Sequence, residues 1–210
     1  MKKLFFLLLA AGALFWLLGR QPHTLTLAPV SLSAALAPGS STPFITNTRQ
    51  DILEIRIPDA DMDYYDVNGG STGEIREALN RGHAHGSFDG YTGWNVRWAW
   101  PGFGKSDCDL SAASLDTSVR VRLPRWQPPR EADAALVLKW NSYLGNLARH
   151  EQGHVQLAQH GFAKMQQILQ ASTCDEADAK LNVVLSEMRQ ADLRYDAETH
   201  HGTTQGAKFP

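Results

Sequence analysis

Two hydrophobic rhythms divide the chain. Over residues 91–100, Trp94, Val96, Trp98 and Trp100 fall on one side of a period-two alternation and Asn95 and Arg97 on the other, predicting a strand with an aromatic face. Residues 115–123 repeat the pattern, with Leu115, Thr117, Val119, Val121 and Leu123 inward and Asp116, Ser118, Arg120 and Arg122 outward. Pro124, Pro128 and Pro129 are expected to end that strand. A looser alternation of Ile52, Ile55 and Ile57 predicts an earlier strand over 51–57, stopped by Pro58. Val67-Asn68-Gly69-Gly70 reads as a turn. Ser71-Thr72-Gly73-Glu74 forms a capping box opening a short helix through Leu79, which Gly82 ends.

From about residue 131 to 170 the rhythm changes. Leu136, Trp140, Tyr143, Leu144, Leu147, Val155, Ala158, Phe162, Met165 and Leu169 recur at three- and four-residue spacing, predicting a long amphipathic helix with a break or bend at Gly145 or Gly161. Thr173-x-x-Glu176 caps a second helix running to about Thr199, with Leu181, Val184, Leu185, Met188 and Leu193 as its buried side. Strands first and helices afterwards predict an α+β domain, a small mixed or antiparallel sheet packed on two long helices.

The amino terminus has neither rhythm. Lys2 and Lys3 precede an apolar run over 4–18, the form of an export signal. At about 15 residues the run is just short of a spanning helix, which needs roughly 17–25. No small-x-small cleavage site follows directly, since Ala35-Leu36-Ala37 lies far downstream and precedes Pro38. Residues 1–20 are therefore read as a signal peptide or signal anchor, with membrane anchoring left open. Residues 21–49, rich in Pro, Ser, Thr, Ala and Leu, read as a linker. The globular domain is expected over 50–205, with 206–210 as a tail. The expected location is outside the cytoplasm, periplasmic or extracellular.

Composition removes one class and supports another. A net charge of −2 and the lack of a basic arm argue against a nucleic-acid partner. The two cysteines, Cys108 and Cys174, are expected to form a disulfide in an oxidising compartment.

The chemistry concentrates in His150-Glu151-Gln152-Gly153-His154, an HExxH pattern within the long helix. Residues four apart on a helix differ by roughly 40° and face the same way, so His150 and His154 can share one metal ion. Glu151 lies about 100° from His150, beside the ion, where a carboxylate can take a proton from attacking water. A catalytic zinc normally takes three protein ligands. His160 stands where some HExxH enzymes place the third, but Leu157 occupies the position where those enzymes use a helix-breaking glycine. On a continuing helix His160 is about 15 Å along the axis from His150 and cannot reach. Asp196, His200, His201 and Glu187 on or after the second helix are the remaining candidates. His83 and His85 read as a glycine-flanked surface loop. Tyr195 is a candidate catalytic residue whose hydroxyl would stabilise a developing oxyanion.

The ordered set Val67-x-Gly69, Glu74-Ile75-Arg76, Gly90-Tyr91-Thr92-x-Trp94-x-Val96-x-Trp98, Leu123-Pro124-x-Trp126, Trp140, His150-Glu151-x-Gly153-His154 and Tyr195-Asp196-x-x-Thr199-x-His201-Gly202 resembles the DUF922 family of predicted secreted zinc-dependent proteases. The resemblance implies export, a Zn2+ cofactor, a zincin-like HExxH fold and hydrolysis of a peptide or protein substrate. It selects His201 as third ligand, through its place in TxHG, with Asp196 as a ligand or as a partner orienting a histidine. The expected centre is then His150, His154 and His201 on the metal and Glu151 as general base. A noncatalytic envelope module holding structural zinc and an amidase acting on cell-wall peptides are the competing expectations.

Overall fold

The computed structural model describes residues 52–83 and 86–210. The export run at 4–18, the linker at 21–49 and His85 lie outside the described residues. Among the described residues no helix is long and apolar enough to cross a membrane.

The architecture is α+β. Strand β1 (Asp61–Val67) leads into helix α1 (Thr72–Gly82), which is followed by β2 (Tyr91–Ala99) and β3 (Ser114–Trp126). Helices α2 (Ala134–Ala171) and α3 (Cys174–Thr199) complete it. The sheet order is β1-β3-β2, with β1 parallel to β3 and β2 antiparallel to it. The sheet is thus mixed, and β2 lies at an edge.

Residues 52–57 form no strand; the first strand begins after Pro58 rather than before it. Ile57 is buried and Ile52 and Ile55 pack on the core without a strand partner, while Leu53 N–H donates to Asn141 Oδ1 of α2. The isoleucine pattern reports burial, not pairing. Pro124 also departs from expectation by lying inside β3. The last β2 pair is Tyr91–Arg122, so Pro124 lies beyond the β2 ladder, where it stands opposite Tyr65 of β1.

The capping box forms as its residues predict. Ser71 Oγ accepts from Glu74 N–H, and Glu74 Oε2 accepts from Gly70 N–H. Asp133 caps α2, which runs unbroken through both Gly145 and Gly161. Gly161 serves packing instead, since a Cβ there would collide with Met188 of α3. Leu193, expected inside, is exposed, while Leu181, Val184 and Met188 are buried. The final residues are no tail: Phe209 is buried against Trp140 and Tyr143. Cys108 and Cys174 are disulfide-bonded, fastening the β2–β3 connection to the start of α3.

Candidate metal centre

His150 and His154 project from the same face of α2, one turn apart, and both are buried. Their Nε2 atoms converge on a single oxygen, Asp196 Oδ1 of α3, at 3.3 and 3.1 Å. These three donor atoms lie within 4.8 Å of one another, so His150, His154 and Asp196 form a group able to hold a metal ion.

The other ring nitrogens are also fixed. His150 Nδ1 donates to Gln205 Oε1 and His154 Nδ1 to Asp192 Oδ1, each at 3.0 Å. Those bonds suit a proton on each Nδ1, and with it there both Nε2 lone pairs aim at one point, the arrangement a metal-ligating histidine requires. Trp94 Nε1–H donates to Asp192 Oδ2 at 2.6 Å, which ties the sheet to the same carboxylate. Burial and the neighbouring His154 lower the His150 pKa. Burial also pulls on His154, but Asp192, Glu151 and Asp196 outweigh it and raise that pKa.

Glu151 points from α2 into the gap beneath β2. Thr92 Oγ1 donates to its Oε2 at 2.7 Å, while Oε1 packs so closely on Gly90 that a Cβ there would meet it at 2.5 Å. Burial drives the Glu151 pKa from 4.5 up to about 7, opposed by the Thr92 hydroxyl and by His154. The Gly90 backbone is held in turn by Asp89, whose carboxylate accepts from Arg76 through both oxygens and from Tyr143 OH.

The end of α3 closes the centre from below. His200 and His201 adopt left-handed φ values of 48° and 50°, and Gly202 follows at 76°. This turn carries Gln205 to His150. Gly202 N–H donates to Thr199 Oγ1, and a Cβ on Gly202 would meet the His150 ring at 2.9 Å. The Thr and Gly of the TxHG motif therefore shape the histidine seat.

The structure brings some sequence candidates together and leaves others apart. His201 lies just outside the donor group, half exposed, its Nδ1 3.5 Å from Asp196 Oδ2 and its ring against Phe88. Tyr195 stacks on His150 with ring centroids 5.1 Å apart, and its hydroxyl accepts from Gln205 Nε2. It backs the histidines and does not line the cavity in front of them. Gly153 makes room for that phenol, because a Cβ there would fall inside it. His160 is exposed on the continuous α2, and Glu187 is exposed and paired with Lys164. Sequence reasoning missed Asp192, Gln205 and Thr92. Asp192 lies one turn before Asp196 on the same helical face, a spacing that could have marked it; Gln205 carries no local signal.

A cavity of about 880 Å3 opens in front of the group, lined by Gly90 and by Tyr91 to Trp94 of β2, by His150, Glu151 and His154 of α2, and by Asp192 and Asp196 of α3. Fold and site define a small α+β protein with a buried histidine pair and an aspartate able to bind a metal. The model of the family described as a bacterial protein of unknown function (DUF922) matches residues 62–202, and the chain belongs to that family. No curated protein and no solved structure matches it.

Proposed function

We propose that this protein is an exported zinc-dependent hydrolase that cleaves peptide bonds, with His150, His154 and Asp196 as the metal ligands and Glu151 as the general base. The observation that carries the reading is the buried Glu151 carboxyl beside three converging donors at the wall of an open cavity. A structural zinc site is normally closed by four protein ligands, whereas a catalytic one keeps three and an open position. Two imidazole nitrogens and a carboxylate oxygen are the donors zinc takes in such sites.

Bound there, zinc would supply Lewis acidity, lowering the pKa of a water and polarising an amide carbonyl. Thr92 holds Glu151 Oε2, so Oε1, which has no hydrogen bond among the described residues, is the atom that accepts the proton of the attacking water. The same carboxyl then gives that proton to the amide nitrogen as its bond to carbon breaks. A neutral-range pKa, about 7, suits both transfers. Asp192 and Gln205 keep the imidazoles oriented, and Tyr195 buttresses them from behind. The outer edge of β2 has no strand partner among the described residues and forms one wall of the cavity, which suits an extended peptide added beside it. The disulfide is consistent with an oxidising location.

The test is hydrolysis by the purified zinc-loaded chain on an unbiased peptide library, against Glu151→Gln. The reading predicts metal-dependent cleavage that falls at least about a thousandfold in the variant while zinc stays bound. Full activity in Glu151→Gln would sink the mechanism.

A further inference from the structure

The cavity wall carries charges of both signs, and they differ in how they are paired. Every lining side-chain carboxylate is engaged from within: Asp89 by Arg76 and Tyr143, Glu151 by Thr92, Asp192 by His154 and Trp94, and Asp196 by the donor group it forms with the two histidines. Among the cations, Arg76 is locked on Asp89. Arg189 and Lys208 line the same cavity, are exposed, and have no ion pair or hydrogen bond among the described residues. Among the described residues, the uncommitted side-chain charge facing the cavity is therefore positive.

Both cations stand on fixed backbone. Arg189 follows Met188, which is buried against Gly161, and precedes Asp192 by about one turn of α3, on the His154 side. Lys208 lies between buried Ala207 and Phe209. Ala207 N–H donates to Gly202 O, and Gly202 seats the His150 ring, so Lys208 follows directly on the segment that seats that ring. The two stand on different elements of the cavity wall, α3 and the segment that follows it.

We infer that the cleft selects acidic peptides, with Arg189 and Lys208 receiving carboxylates near the bond presented to His150, His154 and Asp196. The inference rests on the peptidase reading for the fate of that bond, while the recognition itself is a binding property. A peptide is favoured over another polyanion because the β2 edge supplies backbone donors and acceptors in extended register beside the cations. Fixed cations in a cleft also raise the encounter rate with anionic partners.

The test uses the full chain as zinc-loaded Glu151→Gln, so that binding is read without turnover. Fluorescein-labelled peptides identical except for Glu, Gln or Lys around a constant centre are titrated by anisotropy at low salt, beside a single-stranded oligonucleotide of matched charge. The Glu peptide is expected to bind about tenfold more tightly than the Gln peptide, with Arg189→Gln and Lys208→Gln each reducing that ratio about threefold. Equal binding of the Glu and Gln peptides, no binding of any peptide, or an oligonucleotide that binds as well as the Glu peptide overturns the inference. So does an undiminished ratio in the double variant, which marks capture of the carboxylate by the ion alone. If acidic peptides bind as described but the wild-type chain does not cut them, the peptidase reading falls and the recognition stands.

Discussion

Asp192 is not one of the three converging donors, yet its loss should be felt at them. Its Oδ1 receives the His154 Nδ1 proton at 3.0 Å and its Oδ2 the Trp94 indole N–H at 2.6 Å. Asp192→Ala frees the His154 ring to rotate and to exchange tautomers, and it removes a charge-assisted bond that raises the basicity of Nε2. Partners of this kind are worth about 10- to 100-fold in metal affinity, or about 1.4–2.8 kcal/mol. The indole N–H, part-buried between β2 and α3, also loses its acceptor, at about 1–3 kcal/mol of folding stability. Asp192→Asn keeps one acceptor oxygen for two donors and should fall between wild type and alanine. Competition with a chromophoric zinc chelator measures the affinity, and far-UV circular dichroism confirms the fold. Asp196→Ala, which removes a donor atom itself, should cost more than Asp192→Ala. Wild-type affinity in Asp192→Ala, or a smaller loss in Asp196→Ala, would refute the assigned roles.

Two further predictions concern stability. In the chelator-treated protein, burial holds the Glu151 pKa at about 7 against 4.5 when exposed, so the folded state retains a proton that the unfolded state releases. The associated stability is present below 4.5 and is lost as pH rises to 7; relative to Glu151→Gln, wild type should weaken by about 3 kcal/mol across that window. Urea unfolding of both proteins at each end reads it, and a pH-independent difference contradicts it. Replacing Cys108 and Cys174 by serine opens a loop with a sequence separation of 66 and should cost about 4 kcal/mol, measured by denaturant unfolding under oxidising conditions; unchanged stability would count against the linkage as a stabilising element.

What could be read from the sequence was local. The His150–His154 spacing, the Ser71–Glu74 box and the Tyr91–Ala99 alternation each express a rule spanning a few residues, and each appears in the structure. Leu157 kept α2 helical, which leaves His160 exposed. The first strand was misplaced because Ile52, Ile55 and Ile57 bury without pairing, whereas β1 carries Asp61, Asp63 and Asp66 and buries only Tyr65 and Val67. The third donor was the hardest to place. Asp196 and His201 lie in one motif, and only the left-handed turn at His200, His201 and Gly202 decides which of them faces the histidines. Gln205 reaches His150 from 55 residues away, a contact created by that turn. Trp94 and Trp98 do more than fill the core, for their indole N–H groups staple β2 to Asp192 and Asp178 of α3.

The account stands on the identity of the three donors, and metal content tests it most directly. Zinc per chain is measured by elemental analysis on wild type, Asp196→Ala and His201→Ala, each purified under the same limiting zinc and confirmed folded. The account predicts one equivalent in wild type and in His201→Ala, and a loss in Asp196→Ala, because Asp196 Oδ1 meets both Nε2 atoms while His201 stands outside them. Retention in Asp196→Ala together with loss in His201→Ala would contradict it.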